Sequence, residues 1–204
     1  MSYNFFATIS RMKYIQRWAL MRNSRPENLS EHSLEVAMIA HALCTIGNVR
    51  YGRKLDGEKA ALISLYHDAS EIITGDMPTP VKYFNRDIRD AYKEVEAKAE
   101  DRLLEQLPDD LRPEYERIFR MDAGLSEEAD KEEQYMRELV KAADKISAMI
   151  KCIAEETSGN AEFRTAQKTI EEALEKMKET HPEVRDFIDE FVKPYGNTLD
   201  ELLS

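Results

Sequence analysis

Glycine and proline, seven of each in 204 residues, fall between long stretches of chain in which apolar residues recur every three to four positions and not every two. That spacing selects helix over strand. The chain therefore reads as all-α, a helical bundle forming one domain over residues 1–204. The pattern places helices over Tyr3 to Met21, Ser30 to Gly47, Asp56 to Thr74, Tyr83 to Leu107, Leu111 to Met121, Glu127 to Thr157, Ala161 to Thr180 and Pro182 to Val192. Asn28 or Ser30 can cap the second of these, and Glu31 stands three residues after Asn28 as a capping box requires. The same helix is apolar nearly all round and should be central.

Charge and composition remove several classes of function. Forty acidic against 29 basic residues give a net charge of -11, which repels polyanions and argues against a nucleic-acid polymer or an anionic membrane as partner. A small anionic ligand held at a local basic or metal site is compatible with that charge. The acidic run "LSEEADKEEQ" reads as the solvated first turn of the helix from Glu127. Cys44 and Cys152 lie in apolar helical patterns without CxxC spacing and read as reduced, buried thiols. The first residues lack a continuous apolar signal region, and no run approaches the length of a membrane span, so a soluble cytoplasmic protein is expected.

Chemistry concentrates in a few positions. In "SLYHDASEIITGDMPTP", His67 and Glu71 share a helix face, and Asp68 is rotated by about 100° from His67, so two neighbours can point toward one ion. His32 lies in the same stripe as Val36, Ile39 and Leu43 and should aim inward. Asp144 adjoins the stripe Val140, Ala143, Ser147 and Ile150, and a carboxylate beside a core stripe requires a partner. Two imidazoles and two carboxylates make a mixed nitrogen and oxygen set suited to Mn(II), Fe(II), Co(II) or Zn(II). Taken singly, each has a plainer reading: a buried, hydrogen-bonded His32, an interhelical polar contact at His67 and Asp68, and an ion pair of Asp144 with Lys141 or Lys145. His41 stands about 900° around the helix from His32, on its far side, and His181 precedes Pro182 at a helix boundary. Neither has company for a second ion.

The segments "SEHSLEVAMIAHAL", "LYHDASEIITGDMPTPVKYFN" and "KAADKISAMIKC" follow the H, HD, D order of HD-domain metallophosphohydrolases, essentially from end to end. Within that superfamily, "RWALMRN", "ENLSEHS" and "TGDMPTPVKYFN" resemble the bacterial HD-domain 5'-deoxynucleotidases, which remove phosphate from deoxyribonucleoside 5'-monophosphates. The resemblance implies an HD-domain-like bundle in which His32, His67, Asp68 and Asp144 bind one divalent ion. Co(II) or Mn(II) is expected, with Zn(II), Fe(II) and Cu(II) also able to fill such a site. It further implies a homodimer, with His32 and Asp144 bordering the substrate as well as the ion.

In that setting Glu71 would move a proton as acid or base, its plainer role being an exposed helix carboxylate. Arg17 would hold phosphate oxygens through its planar fork, its plainer role being a solvent-facing basic side of a helix. Trp18, by default a core anchor, could wall the sugar pocket and crowd a ribose 2'-hydroxyl. Asp76 follows the helix stop at Gly75, and a stiff turn with Met77, Pro78 and Thr79 lining the site could hold it toward a sugar hydroxyl. Deoxyribose preference would then be exclusion, by crowding or an unmade hydrogen bond at the 2' position. Two alternatives remain at this point: an HD hydrolase of another phosphoester, such as a cyclic nucleotide, a nucleoside triphosphate or a guanosine polyphosphate, and a non-catalytic protein that keeps the ion as a staple.

Overall fold

The computed structural model describes residues 2–82, 84–119 and 131–204. Among these the chain is helical, and its one extended pairing is an isolated antiparallel bridge between Gln16 and Asn28. In order come α1 (Phe5–Ile9), a 3-10 turn (Ser10–Tyr14), α2 (Leu29–Tyr51), α3 (Gly57–Tyr66), α4 (Glu71–Thr74), α5 (Thr79–Lys82), α6 (Arg86–Leu104) and α7 (Arg112–Phe119). Then follow α8 (Lys131–Thr157), α9 (Arg164–Thr180), α10 (Pro182–Phe187), which continues as a π turn through Val192, and a short α11 (Leu199–Leu202). The chain divides into two compact units interleaved in sequence: Met1–Arg22, Pro26–Ser33 and Leu65–Gly124 form the first, and Asn23–Arg25, Leu34–Ser64 and Leu125–Ser204 the second.

The first unit is built on a core of Phe5, Met12, Leu29, Ala69, Leu103, Leu104, Leu107 and Phe119, with Ile9, Ile15, Tyr66, Ile72, Tyr115 and Ile118 packed against it. Phe5 is its centre, with ring centroids 5.0 Å from Tyr115 and 5.9 Å from Phe119. Two corrections to the sequence pattern belong here. The first helix ends far short of Met21: Ile15 turns extended, Leu29 N–H donates to the Ile15 carbonyl at 3.0 Å and Arg17 N–H to the Glu27 carbonyl at 2.9 Å. Arg17 and Trp18 therefore lie on an irregular strap and not on a helix side. The helix expected from Asp56 to Thr74 is broken at His67–Ser70, where Ala69 N–H bonds to Tyr66 O, Glu71 N–H to Asp68 O and Ile72 N–H to Ala69 O at 3.0 to 3.2 Å. These are i to i+3 bonds. Tyr66, Ala69 and Ile72, three residues apart, all reach the core, which suits a three-residue turn better than a 3.6-residue one.

In the second unit α8 packs on α9, and α10 closes on α9. The buried face of α8 includes Met136, Leu139, Val140, Ala143, Ile146 and Ile150, and Leu174 of α9 and Val184 of α10 are equally buried in the same unit. Ser147 Oγ donates to Glu35 Oε2 at 2.6 Å, tying α8 to α2. Here α2 runs through Gly47, where the sequence pattern ends it, and continues to Tyr51 before Gly52 takes φ 65°. Gly47 is a packing glycine: a Cβ there would lie 2.9 Å from both Glu183 Oε1 and Leu55 Cδ1. Nor is α2 covered all round, since Leu34, Met38 and Val49 are exposed. His41 is exposed and His181 caps α10, as expected of both. Cys44 and Cys152 are both buried thiols, and burial pushes the Cys44 thiol up to about 12. The expected helix ends at Arg120 and Met121 and its restart at Glu127, with most of the acidic run, lie outside the described residues.

Candidate active site

The first unit gathers nearly every residue singled out for chemistry. A reciprocal capping box starts α2: Glu31 N–H donates to Asn28 Oδ1 at 3.1 Å and Asn28 N–H to Glu31 Oε2 at 3.2 Å, so Asn28 and not Ser30 is the cap. This puts His32 in the first helical turn, where it is 1 % exposed. The tight turn after α3 presents His67 and Asp68. Ligand atoms of His32, His67 and Asp68 all lie within 4.8 Å of one another.

Asp68 Oδ2 is the focus of the cluster. It lies 3.2 Å from His67 Nε2, 3.6 Å from His32 Nε2 and 3.2 Å from Arg17 Nη1. Two donor atoms each about 2.1 Å from one transition-metal ion stand roughly 3.0–3.4 Å apart at octahedral to tetrahedral angles. The observed spacings fit a shared divalent cation, and the imidazole and carboxylate donors suit one chemically. Burial alone would raise the pKa of Asp68, but His67, His32 and Arg17 outweigh it and hold the carboxyl well below the usual range. It is an anion wherever the protein is folded near neutral pH.

Glu71, first residue of α4, is 8 % exposed, and its Oε2 finds no hydrogen-bond partner among the described residues. Burial pushes its carboxyl up to about 9, with Asp68 and Asp76 adding to the rise and Arg17 and Lys82 opposing it. The exposed carboxylate of the plainer reading is thus ruled out by packing.

Arg17 donates from Nε to Glu27 Oε1 at 2.9 Å as well as reaching Asp68. Trp18 beside it is the non-glycine residue with positive φ, 58°, among the described residues, and its N–H donates to Asp76 Oδ2 at 3.0 Å. A left-handed tryptophan costs about 1–2 kcal/mol and persists only where its surroundings impose it. Gly75, at φ 73°, ends α4 and turns the chain so that Asp76 can impose it. Tyr92 Oη donates to Thr74 Oγ1 at 3.3 Å, and Lys82 Nζ to Glu96 Oε1 at 2.8 Å, so α6 braces both ends of the loop. Within that loop Met77 and Pro78 are half-buried and Thr79 is exposed. Asp144 belongs to the second unit, half-buried on α8 beside the buried row Val140, Ala143, Ser147 and Ile150.

The 5'-deoxynucleotidase YfbR-like family model matches residues 4–195. The chain belongs to this family. A 5'-deoxynucleotidase of Shewanella oneidensis is 46% identical over 199 residues, covering 98% of this chain and 97% of that protein. In fold the YfbR-like chain resembles an HD-domain phosphohydrolase from Listeria innocua, with TM-score 0.79 and 20% identity over 98% of this chain and 92% of that one. It also resembles a cyanophage S-2L HD phosphohydrolase described as bound to dA and one catalytic Zn2+ ion, with TM-score 0.67 and 21% identity over 97% and 100% of the two chains. Glu27, which joins Arg17 to the cluster, opens the segment "ENLSEHS" that carries the resemblance, but no periodicity or spacing in the sequence gives it a role.

Proposed function

We propose that this YfbR-like protein hydrolyses deoxyribonucleoside 5'-monophosphates to deoxyribonucleoside and phosphate, selecting against ribonucleotides, with His32, His67, Asp68 and Asp144 holding one divalent transition-metal ion. The observation that carries this reading is the convergence of two imidazoles and a carboxylate within 4.8 Å in a chain of this family. Co(II) or Mn(II) suits the mixed donor set, as do Zn(II), Fe(II) and Cu(II). Such a cation supplies charge neutralisation at the phosphate and makes water nucleophilic at neutral pH.

The chain's own residues do the rest. Arg17 turns its fork toward the phosphate oxygens from an irregular strap pinned by Glu27. Glu71 holds a proton in a buried site and can pass it to the 5' oxygen as the bond from phosphorus to that oxygen breaks and the bond to the water oxygen forms. Trp18 and Asp76, locked to each other, close the sugar side and exclude a 2'-hydroxyl, with Met77, Pro78 and Thr79 along the same loop and His32 and Asp144 bordering the substrate.

The protein acts as one HD-type domain over 1–204, a reading supported by a single family model that runs through both units. It works as a cytoplasmic homodimer: Phe191, Leu199, Leu202 and Leu203 are exposed apolar side chains in the C-terminal segment, and no helix among the described residues is long and apolar enough to cross a membrane. The test is phosphate release from dAMP, AMP, dATP and a cyclic nucleotide by metal-stripped protein, alone and with each of Mn(II), Co(II), Zn(II), Fe(II) and Cu(II). Release from dAMP that depends on added metal, with little from AMP, is expected. Release from dATP or the cyclic nucleotide in preference to dAMP, or none from any, overturns the reading.

A further inference from the structure

We propose that Glu27 is a positioning residue that fixes both the ion-facing nitrogen of His32 and the plane of the Arg17 guanidinium, an inference that rests on the metal and phosphate roles given above. One carboxylate oxygen does both: Glu27 Oε1 lies 2.9 Å from Arg17 Nε and 3.5 Å from His32 Nδ1. The side chain is only 16% exposed, and its backbone is locked opposite Arg17 by the bond from Arg17 N–H to the Glu27 carbonyl at 2.9 Å.

The two contacts have separate consequences. A carboxylate facing Nδ1 places the ring proton there and leaves Nε2, 3.6 Å from Asp68 Oδ2, to present its lone pair to the cluster. Ligating histidines are commonly oriented in this way, and removing the orienting group typically weakens metal binding about 10–100-fold. At Arg17 the same oxygen takes Nε, while Nη1 reaches Asp68 at 3.2 Å. The guanidinium plane is then defined by two fixed acceptors and does not search rotamers when phosphate arrives. Neither consequence follows from the sequence, where Glu27 and Arg17 are ten residues apart across a loop.

The test uses full-length, metal-stripped wild type, Glu27→Ala and Glu27→Gln, each also in an Arg17→Ala background. Calorimetric titration with Mn(II) or Co(II) reads cation affinity, and steady-state hydrolysis of dAMP at saturating metal reads KM and kcat. Cation affinity should fall about 10-fold or more in Glu27→Ala and less in Glu27→Gln, which keeps one acceptor oxygen. KM should rise more than kcat falls, and the rise should vanish in the Arg17→Ala background while the affinity loss persists. Cation affinity within about twofold of wild type, or a KM change that adds in full to that of Arg17→Ala, overturns the proposal. Glu27→Gln carries the test if Glu27→Ala does not fold. A wild-type chain that binds no cation overturns the metal reading itself, whereas a wild type that binds and a variant that matches it overturn the Glu27 inference alone.

Discussion

At the scale of single residues, Asp68 and Glu71 are carboxylates three positions apart with opposite ionisation, and the difference defines separable experiments. Asp68→Ala removes the anion on which His32, His67 and Arg17 converge, so metal content by atomic spectroscopy and activity should vanish together. Glu71→Gln keeps shape and should keep the metal, but lower kcat about 10²–10⁴-fold. In metal-free protein the same substitution should stabilise the fold. The folded pKa of Glu71, about 9, exceeds its ordinary 4.5, so between those values the folded state binds more protons and stability falls as pH rises. The urea midpoint of Glu71→Gln in chelator should exceed that of wild type at pH 8 and approach it at pH 5; equal midpoints at pH 8 would contradict the buried position. Of these residues, the inward aim of His32 was legible because one helical stripe decides it. The role of Glu27 was not, because it depends on a pairing across a loop that no periodicity encodes.

At the scale of elements, periodicity found every described helix longer than four residues and missed α5 and α11. It placed the breaks at Gly75 and Pro182 but not those inside the first and third expected helices. Two pattern-derived helices end early for reasons that lie elsewhere in the chain: the strap after Tyr14 is drawn out by bonds to Glu27 and Leu29, and the turn at His67 tightens so that Tyr66, Ala69 and Ile72 reach the core. Both breaks fall on candidate site residues, where local preference yields to the geometry of the cluster. The opposite error occurred at Gly47, since glycine commonly stops a helix but is here retained by packing. Gly47→Ala tests that account. Helix propensity favours alanine by about 1 kcal/mol, yet the new Cβ would lie 2.9 Å from Glu183 Oε1. That oxygen cannot yield easily, because Glu183 is fully buried and held by Arg53 Nε at 2.9 Å and Tyr135 Oη at 2.7 Å. Overpacking of about 1–3 kcal/mol should outweigh the propensity gain, giving a lower melting temperature; a higher one would mean the pocket relaxes freely.

For the whole molecule, a net charge of -11 sets the background against which buried ion pairs decide the response to acid. Glu155, 1 % exposed, accepts from Ser24 N–H at 2.8 Å, from Asn160 Nδ2 at 2.7 Å and from Lys151 Nζ, which also donates to the Arg25 carbonyl at 2.6 Å. Burial alone would raise its pKa, but these donors outweigh burial and hold the carboxyl well below its ordinary 4.5. A depressed carboxylate contributes stability that is fully present above the unfolded pKa and is lost as pH falls through the folded one. Glu155→Ala also leaves the buried Lys151 charge without its carboxylate, so a loss of about 3 kcal/mol is expected at pH 7. The gap between variant and wild type should narrow as pH drops below about 4.5, because wild type then loses what the variant already lacks. Urea midpoints from pH 7 to pH 3 check this in metal-free protein. A gap that stays constant over that range would mean that the packing of Glu155, and not its charge, ties residues 23–25 to α8.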